Sequence, residues 1–109
     1  MHADSAVLYA DAGVDIESDI VDMSEEGICF SAPMKAKTHL RVGQKYFFSF
    51  ISTDCGVVTD YVIVKHIHDH NGKLYIGGSC PSGGAVWDYV SRLKCELFQA
   101  GHFVIANVS

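Results

Sequence analysis

The sequence predicts an all-β domain: a six-stranded antiparallel β-barrel followed by a C-terminal α-helix. Three observations predict it. Apolar residues recur with a period of two from residue 6 to about residue 80. Turn-forming residues break that pattern at short intervals, as hairpins require. After Pro81-Ser82-Gly83-Gly84 the apolar spacing lengthens to that of a helix.

The elements follow in order. Ala6 to Ala10 reads as a short strand closed by Asp11 and Gly13. Val14 to Met23 is a second strand, rich in Ile and Val and punctuated by Asp and Glu. Ser24-Glu25-Glu26-Gly27 is a turn, and Ile28 to Ala32 a third strand that Pro33 ends, because proline has no N–H for the ladder. Met34 to Gln44 reads as a loop holding Lys35, Lys37 and Arg41, with Gly43 turning into the next strand. Lys45 to Ile51 carries Tyr46, Phe47, Phe48 and Phe50, residues that suit a pleated surface. Asp54-Cys55-Gly56 turns it, Val57 to His68 runs as a long strand, and His70-Asn71-Gly72 holds the Asn-Gly pair of tight hairpins. Leu74 to Ser79 completes six strands. Closure into a barrel protects the aromatic strand from edge pairing.

Val86, Val90, Leu93 and Leu97 then fall at i, i+4, i+7 and i+11, with Trp87 and Phe98 widening the stripe. That is an amphipathic helix, with Gly101 placed as its C-terminal cap. The tail 102–109 contains Phe103-Val104-Ile105, which needs apolar cover. A further strand, docking on the barrel and homodimerisation are its readings, and a homodimer is the one expected.

The bulk numbers exclude several function classes. The chain of 109 residues fits one domain, with the barrel at about 6–80, the helix at about 85–100 and the tail at 102–109. With 49% hydrophobic residues it can build a core and is not disordered. Eight basic residues against thirteen acidic ones leave a net charge of −5, so no nucleic-acid polymer and no anionic membrane surface is the expected partner. The first residues do not form a signal peptide and no apolar run is long enough to span a bilayer, so a cytoplasmic protein without membrane insertion is expected. The four cysteines, without a Cys-x-x-Cys pair, read as reduced thiols, a disulfide framework being the other reading. Cys29 and Cys95 read as small core residues.

Two constellations carry candidate chemistry. In Asp22-Met23-Ser24-Glu25-Glu26-Gly27, the Asp22 carboxylate can accept two hydrogen bonds from the Watson–Crick edge of a guanine. Ser24 can donate to a purine nitrogen or a phosphate oxygen, and Gly27 permits positive φ or close approach of a ligand. Ordinary turn chemistry is the other reading: Asp and Ser hydrogen-bond their own backbone and Gly permits the reversal, with Glu25 and Glu26 facing solvent. The second constellation is His66, His68 and His70, which share one face of a strand and can be read as three ligands of a catalytic zinc. Their place near a hairpin favours the simpler reading of a solvent-facing strand end. No other arrangement suggests catalysis, so no enzyme and no metal is expected.

A strand runs into the Asp22–Gly27 segment, and the apolar strand Ile28-Cys29-Phe30 follows. A Pro-bearing loop leads to Leu40-Arg41-Val42-Gly43-Gln44, then come the aromatic strand, the long strand, Tyr75-Ile76-Gly77 and the helix. The segment and this order resemble the PilZ domain family, whose signature is Asp/Asn-x-Ser-x-x-Gly. The resemblance spans Ala6 to about Phe98. It implies a bacterial signalling domain in which Asp22, Ser24 and Gly27 help bind cyclic di-GMP, with no other cofactor. Receptors of the family usually carry an Arg-x-x-x-Arg pair before the first strand, where the forked cations hold the ligand's two phosphates. Here Met1-His2-Ala3-Asp4-Ser5 holds no Arg or Lys, and the family pattern does not put Lys35, Lys37 or Arg41 at the phosphates. The resemblance thus implies either a receptor with an incomplete ligand site, regulating motility, pili or envelope polysaccharide, or an adaptor that contacts proteins of that machinery and does not bind cyclic di-GMP.

Overall fold

Six antiparallel strands close on themselves in the order β1-β2-β3-β6-β5-β4. In chain order they are β1 (Ser5–Tyr9), β2 (Asp15–Met23), β3 (Gly27–Pro33), β4 (Lys45–Ser52), β5 (Gly56–His70) and β6 (Lys73–Ser79), followed by α1 (Ala85–Gln99). This computed structural model describes residues 5–10, 13–52 and 56–99, of which 94–99 are described by backbone alone. The predicted barrel and terminal helix are therefore present, each strand bound lying within two residues of its expected place. The predicted loop after Pro33 contains a 3-10 helix, Met34–His39, that buries Ala36. Pro33 itself still pairs with Lys73 and stands last in β3. The expected cap at Gly101, the tail 102–109 and the turn residues Asp54 and Cys55 lie outside the described residues.

Alternation explains the core. Leu8, Phe30, Phe48, Val62, Leu74 and Ile76 each point inward from a different position of the period-two pattern and are fully buried. Phe30 meets Phe48 edge to face at 5.1 Å, the geometry aromatic quadrupoles favour. Tyr46 is buried too, and its hydroxyl accepts the Arg41 backbone N–H at 2.8 Å, which fixes the path of the chain into β4. The β5–β6 hairpin turns at Asn71 (φ 52) and Gly72 (φ 79), the two positive values a type I′ turn needs.

Two irregularities decide which residues face outward. In β2, Ile16 and Ser18 point inward, and strict alternation would carry Asp22 inward as well. A register shift between Ile20 and Asp22 pairs Asp22 with Cys29 and returns Met23 to the core opposite Ile28. In β5 the same happens between Val64 and His66, so that His66, His68 and His70 emerge on the outer face.

The helix closes one end of the barrel. Val86, Tyr89, Val90 and Leu93 are its buried face, so Tyr89 completes the stripe and the half-buried Trp87 does not. Tyr89 packs edge to face on Phe50 at 5.3 Å. The helix begins after Gly84, which has no side chain to cap it. Asp60 of β5, 8% exposed, does so instead: its Oδ2 accepts the Val86 N–H at 3.0 Å and its Oδ1 the Tyr61 N–H at 2.7 Å. The same carboxylate and burial hold the Cys80 thiol protonated, burial being the larger cause, with its pKa pushed up to about 12.

Two predictions follow from this end of the barrel. Asp60→Ala leaves two N–H groups without their acceptor and lowers stability by about 2–4 kcal/mol in urea denaturation, with Asp60→Asn intermediate. Among the described residues the buried Tyr89 hydroxyl has no hydrogen-bond partner. Tyr89→Phe therefore keeps or raises the denaturation midpoint, where a large loss would reveal a partner for that hydroxyl.

Candidate functional site

The residues singled out in the sequence come together at the β2–β3 hairpin. The bulge in β2 turns Asp22 outward beside Cys29, and both are half-buried. Ser24 and Gly27 close the turn through Ser24 N–H to Gly27 O at 2.9 Å. The Ser24 hydroxyl oxygen accepts the Glu26 N–H at 3.3 Å, an ordinary serine turn contact. Burial, and then the neighbouring Asp22 carboxylate, push the Cys29 thiol above its ordinary pKa, so this cysteine is no thiolate nucleophile.

The structure narrows one expectation about this turn and corrects another. Of the two roles open to Gly27, it does not use a positive φ. A Cβ at that position would stand 2.7 Å from the Gly78 carbonyl oxygen, so the missing side chain lets β3 lie close against β6. Glu25 is half-buried and does not simply face solvent: its Oε2 accepts the Ser91 hydroxyl of α1 at 2.6 Å. Glu26 O accepts the Cys80 N–H at 2.9 Å. The middle of the motif thus holds the helix and the end of β6.

The histidine cluster is arranged for stacking. All three are in strand conformation, since β5 runs to His70. His66 lies over Gly77, its ring occupying the space a Cβ there would need. His66 and His68 stack at 5.8 Å, His68 stacks on Tyr75 at 5.6 Å, and His70 meets the same ring edge on at 6.4 Å. Among the described residues no three His, Cys, Asp or Glu side chains are placed to hold a metal. Cys29 and Cys80 are free thiols; Cys55 and the Cys95 side chain lie outside the described residues.

One feature of the wall was not singled out in the sequence. Asp15, Glu17 and Asp19 stand on the outer face of β2 and are exposed, with Asp22 continuing the series after the bulge. Beside them runs an outer groove of about 740 Å³ across β4, β1, β2 and β3, lined by Ser5, Val7, Glu17, Asp19, Ser49 and Ile51, with Pro33 and Lys73 at its far side. Asp22, Ser24 and Gly27 do not line this groove. The signal was in the sequence as the alternation Asp15-x-Glu17-x-Asp19, which one strand face must collect. Among the described residues no helix is long and apolar enough to cross a membrane.

The hairpin geometry has a direct test. Gly27→Ala forces the new methyl against the Gly78 carbonyl and costs about 1–3 kcal/mol in urea denaturation, whether or not any ligand is present. A Gly27→Ala protein of unchanged stability would show that the glycine is not needed for packing.

No family model matches the chain, and no curated protein matches it. Among solved structures, the inhibitor of motility MotI/DgrA of Bacillus subtilis superposes with a TM-score of 0.62 at 12% sequence identity. The match covers 92% of this chain and 48% of the neighbour, so the chain spans about half the length of that protein. At that identity the likeness is one of fold: the barrel and its helix are an architecture this chain shares with a regulator of motility.

Proposed function

We propose that the chain is a PilZ-type regulatory domain that works as an adaptor, contacting a protein partner without making or breaking bonds. Motility, pilus or envelope machinery in the bacterial cytoplasm is the class of partner the resemblance suggests. The closed barrel with its terminal helix, the Asp22-x-Ser24-x-x-Gly27 hairpin and the fold likeness to an inhibitor of motility support the family reading. The observation that carries the adaptor reading is electrostatic. A ligand with two phosphates lying on the barrel wall beside the motif would stand next to Asp22 and nearest to Asp19, with Glu17 and Asp15 adding negative charge further along the same strand face.

A specific observation favours a second reading, that of a cyclic di-GMP receptor with an incomplete site. The β2 bulge turns Asp22 outward next to a hairpin that holds Ser24 and Gly27, which is where a guanine reader of this family would stand. Calorimetric titration with cyclic di-GMP separates the two. The adaptor reading expects no saturable binding in the low micromolar range. Binding at that level that is lost in Asp22→Ala would overturn it and establish the receptor.

A further inference from the structure

The outer wall of β5, β4, β1 and β2 carries exposed apolar residues on β4 and β5 and carboxylates on β2, with Thr59 and Ser49 between the apolar pairs. Its rows follow from the strand registers. Tyr61, Phe47, Tyr9 and Asp15 form one row across the four strands, and Thr59, Ser49, Val7 and Glu17 the next. Val57 and Ile51 pair in the row beyond, and Ser5 and Asp19 pair on β1 and β2. These apolar side chains are largely in solvent: Ile51 is 74% exposed, Val57 68% and Phe47 51%. Lys45 Nζ lies over the Tyr61 ring at 4.8 Å and the Phe47 ring at 5.7 Å, so the exposed apolar contact is offered by Ile51 and Val57, a side-by-side pair that suits a bound apolar group. The groove described above runs from Ile51 and Val7 past Glu17 and Asp19 to Lys73, so two carboxylates against one lysine leave its lining acidic.

We propose that this face docks a basic, apolar segment of a partner protein, with its apolar side chains on Ile51, Val7 and Val57 and its Lys or Arg side chains against Glu17 and Asp19. The inference rests on the adaptor reading and names the chemistry of that partner. Charge selects the occupant. The chain's own tail, His102-Phe103-Val104-Ile105, has apolar residues but no Lys or Arg to neutralise the carboxylates. A second copy of a chain with net charge −5 is repelled at long range. A cationic partner is steered in by the same field. Because the barrel is closed, a partner strand cannot add to a free edge and has to bind through side chains.

The test uses the full isotope-labelled chain in solution and short synthetic peptides alternating arginine with valine, arginine with serine, and glutamate with valine. The arginine–valine peptide is expected to shift the amides of Val7, Glu17, Asp19, Ser49 and Ile51. Binding weakens with added salt, and the two control peptides bind more weakly. Ile51→Ser and the double variant Glu17→Lys/Asp19→Lys each weaken binding roughly tenfold, the scale of a single hot-spot side chain; both sites are exposed, so the fold is retained. Shifts confined to other surfaces, equal binding of the glutamate peptide, or no shifts at all overturn the proposal. So do nuclear Overhauser contacts from Phe103 or Ile105 to Ile51 in the free chain, which would assign the face to the tail. Cyclic di-GMP added to the same sample reports on different amides, those of Asp22, Ser24 and Gly27. A response there would overturn the adaptor reading, whereas an unresponsive groove overturns only this inference.

Discussion

The buried carboxylate of Asp60 fixes the start of the helix on the barrel. Asp60 points inward from β5, where an ionised side chain is costly unless its oxygens are occupied. The Val86 and Tyr61 N–H groups occupy them, and the positive end of the α1 dipole adds to the attraction. Gly84 keeps this corner uncrowded: a Cβ there would stand 2.9 Å from Pro81 Cγ and 3.1 Å from Asp60 Oδ2. With its start held in this way, the helix lays Tyr89 on Phe50 and brings Ser91 to Glu25. The shape of the motif hairpin therefore depends on a contact made far from it in sequence.

The barrel wall is organised by two bulges. Each adds a residue to a strand, reverses the alternation beyond it, and turns a polar run outward that regular pairing would have buried. In β2 the beneficiary is Asp22; in β5 it is the histidine series. Neither run would be tolerable inside, since the core beside them is made of Phe30, Ile76 and Val64. The histidines then stack on one another and on Tyr75 along the outer face.

The functional reading follows from how polar groups are distributed over a closed sheet. A barrel has no free edge, so specificity has to come from side chains on its wall and from its capped end. The capped end is tied up by Glu25, Ser91 and Cys80. The wall carries carboxylates on β2 next to uncovered apolar residues on β4 and β5. That charge is the ground on which a cationic, partly apolar protein segment is proposed as its partner.

Much of this was legible in the sequence. Period two from residue 6 to 80, the Asn71-Gly72 turn and the change of period after Gly84 determined the six strands, one hairpin and the helix, because these are local consequences of side-chain alternation and backbone freedom. The Asp22–Gly27 segment was legible as a polar turn, but the duty of each residue in it was not. Gly27 is needed by Gly78, Glu25 by Ser91, and the helix start by Asp60, and each of these pairs is separated by many residues in the chain. The alternation Asp15-x-Glu17-x-Asp19 already put three carboxylates on one strand face, and only the strand registers placed that face beside Val7 and, through β1, near Ile51. Local pattern specifies which face a side chain takes within its own strand. Which strand becomes its neighbour is decided by closure of the barrel, and closure is a property of the whole chain.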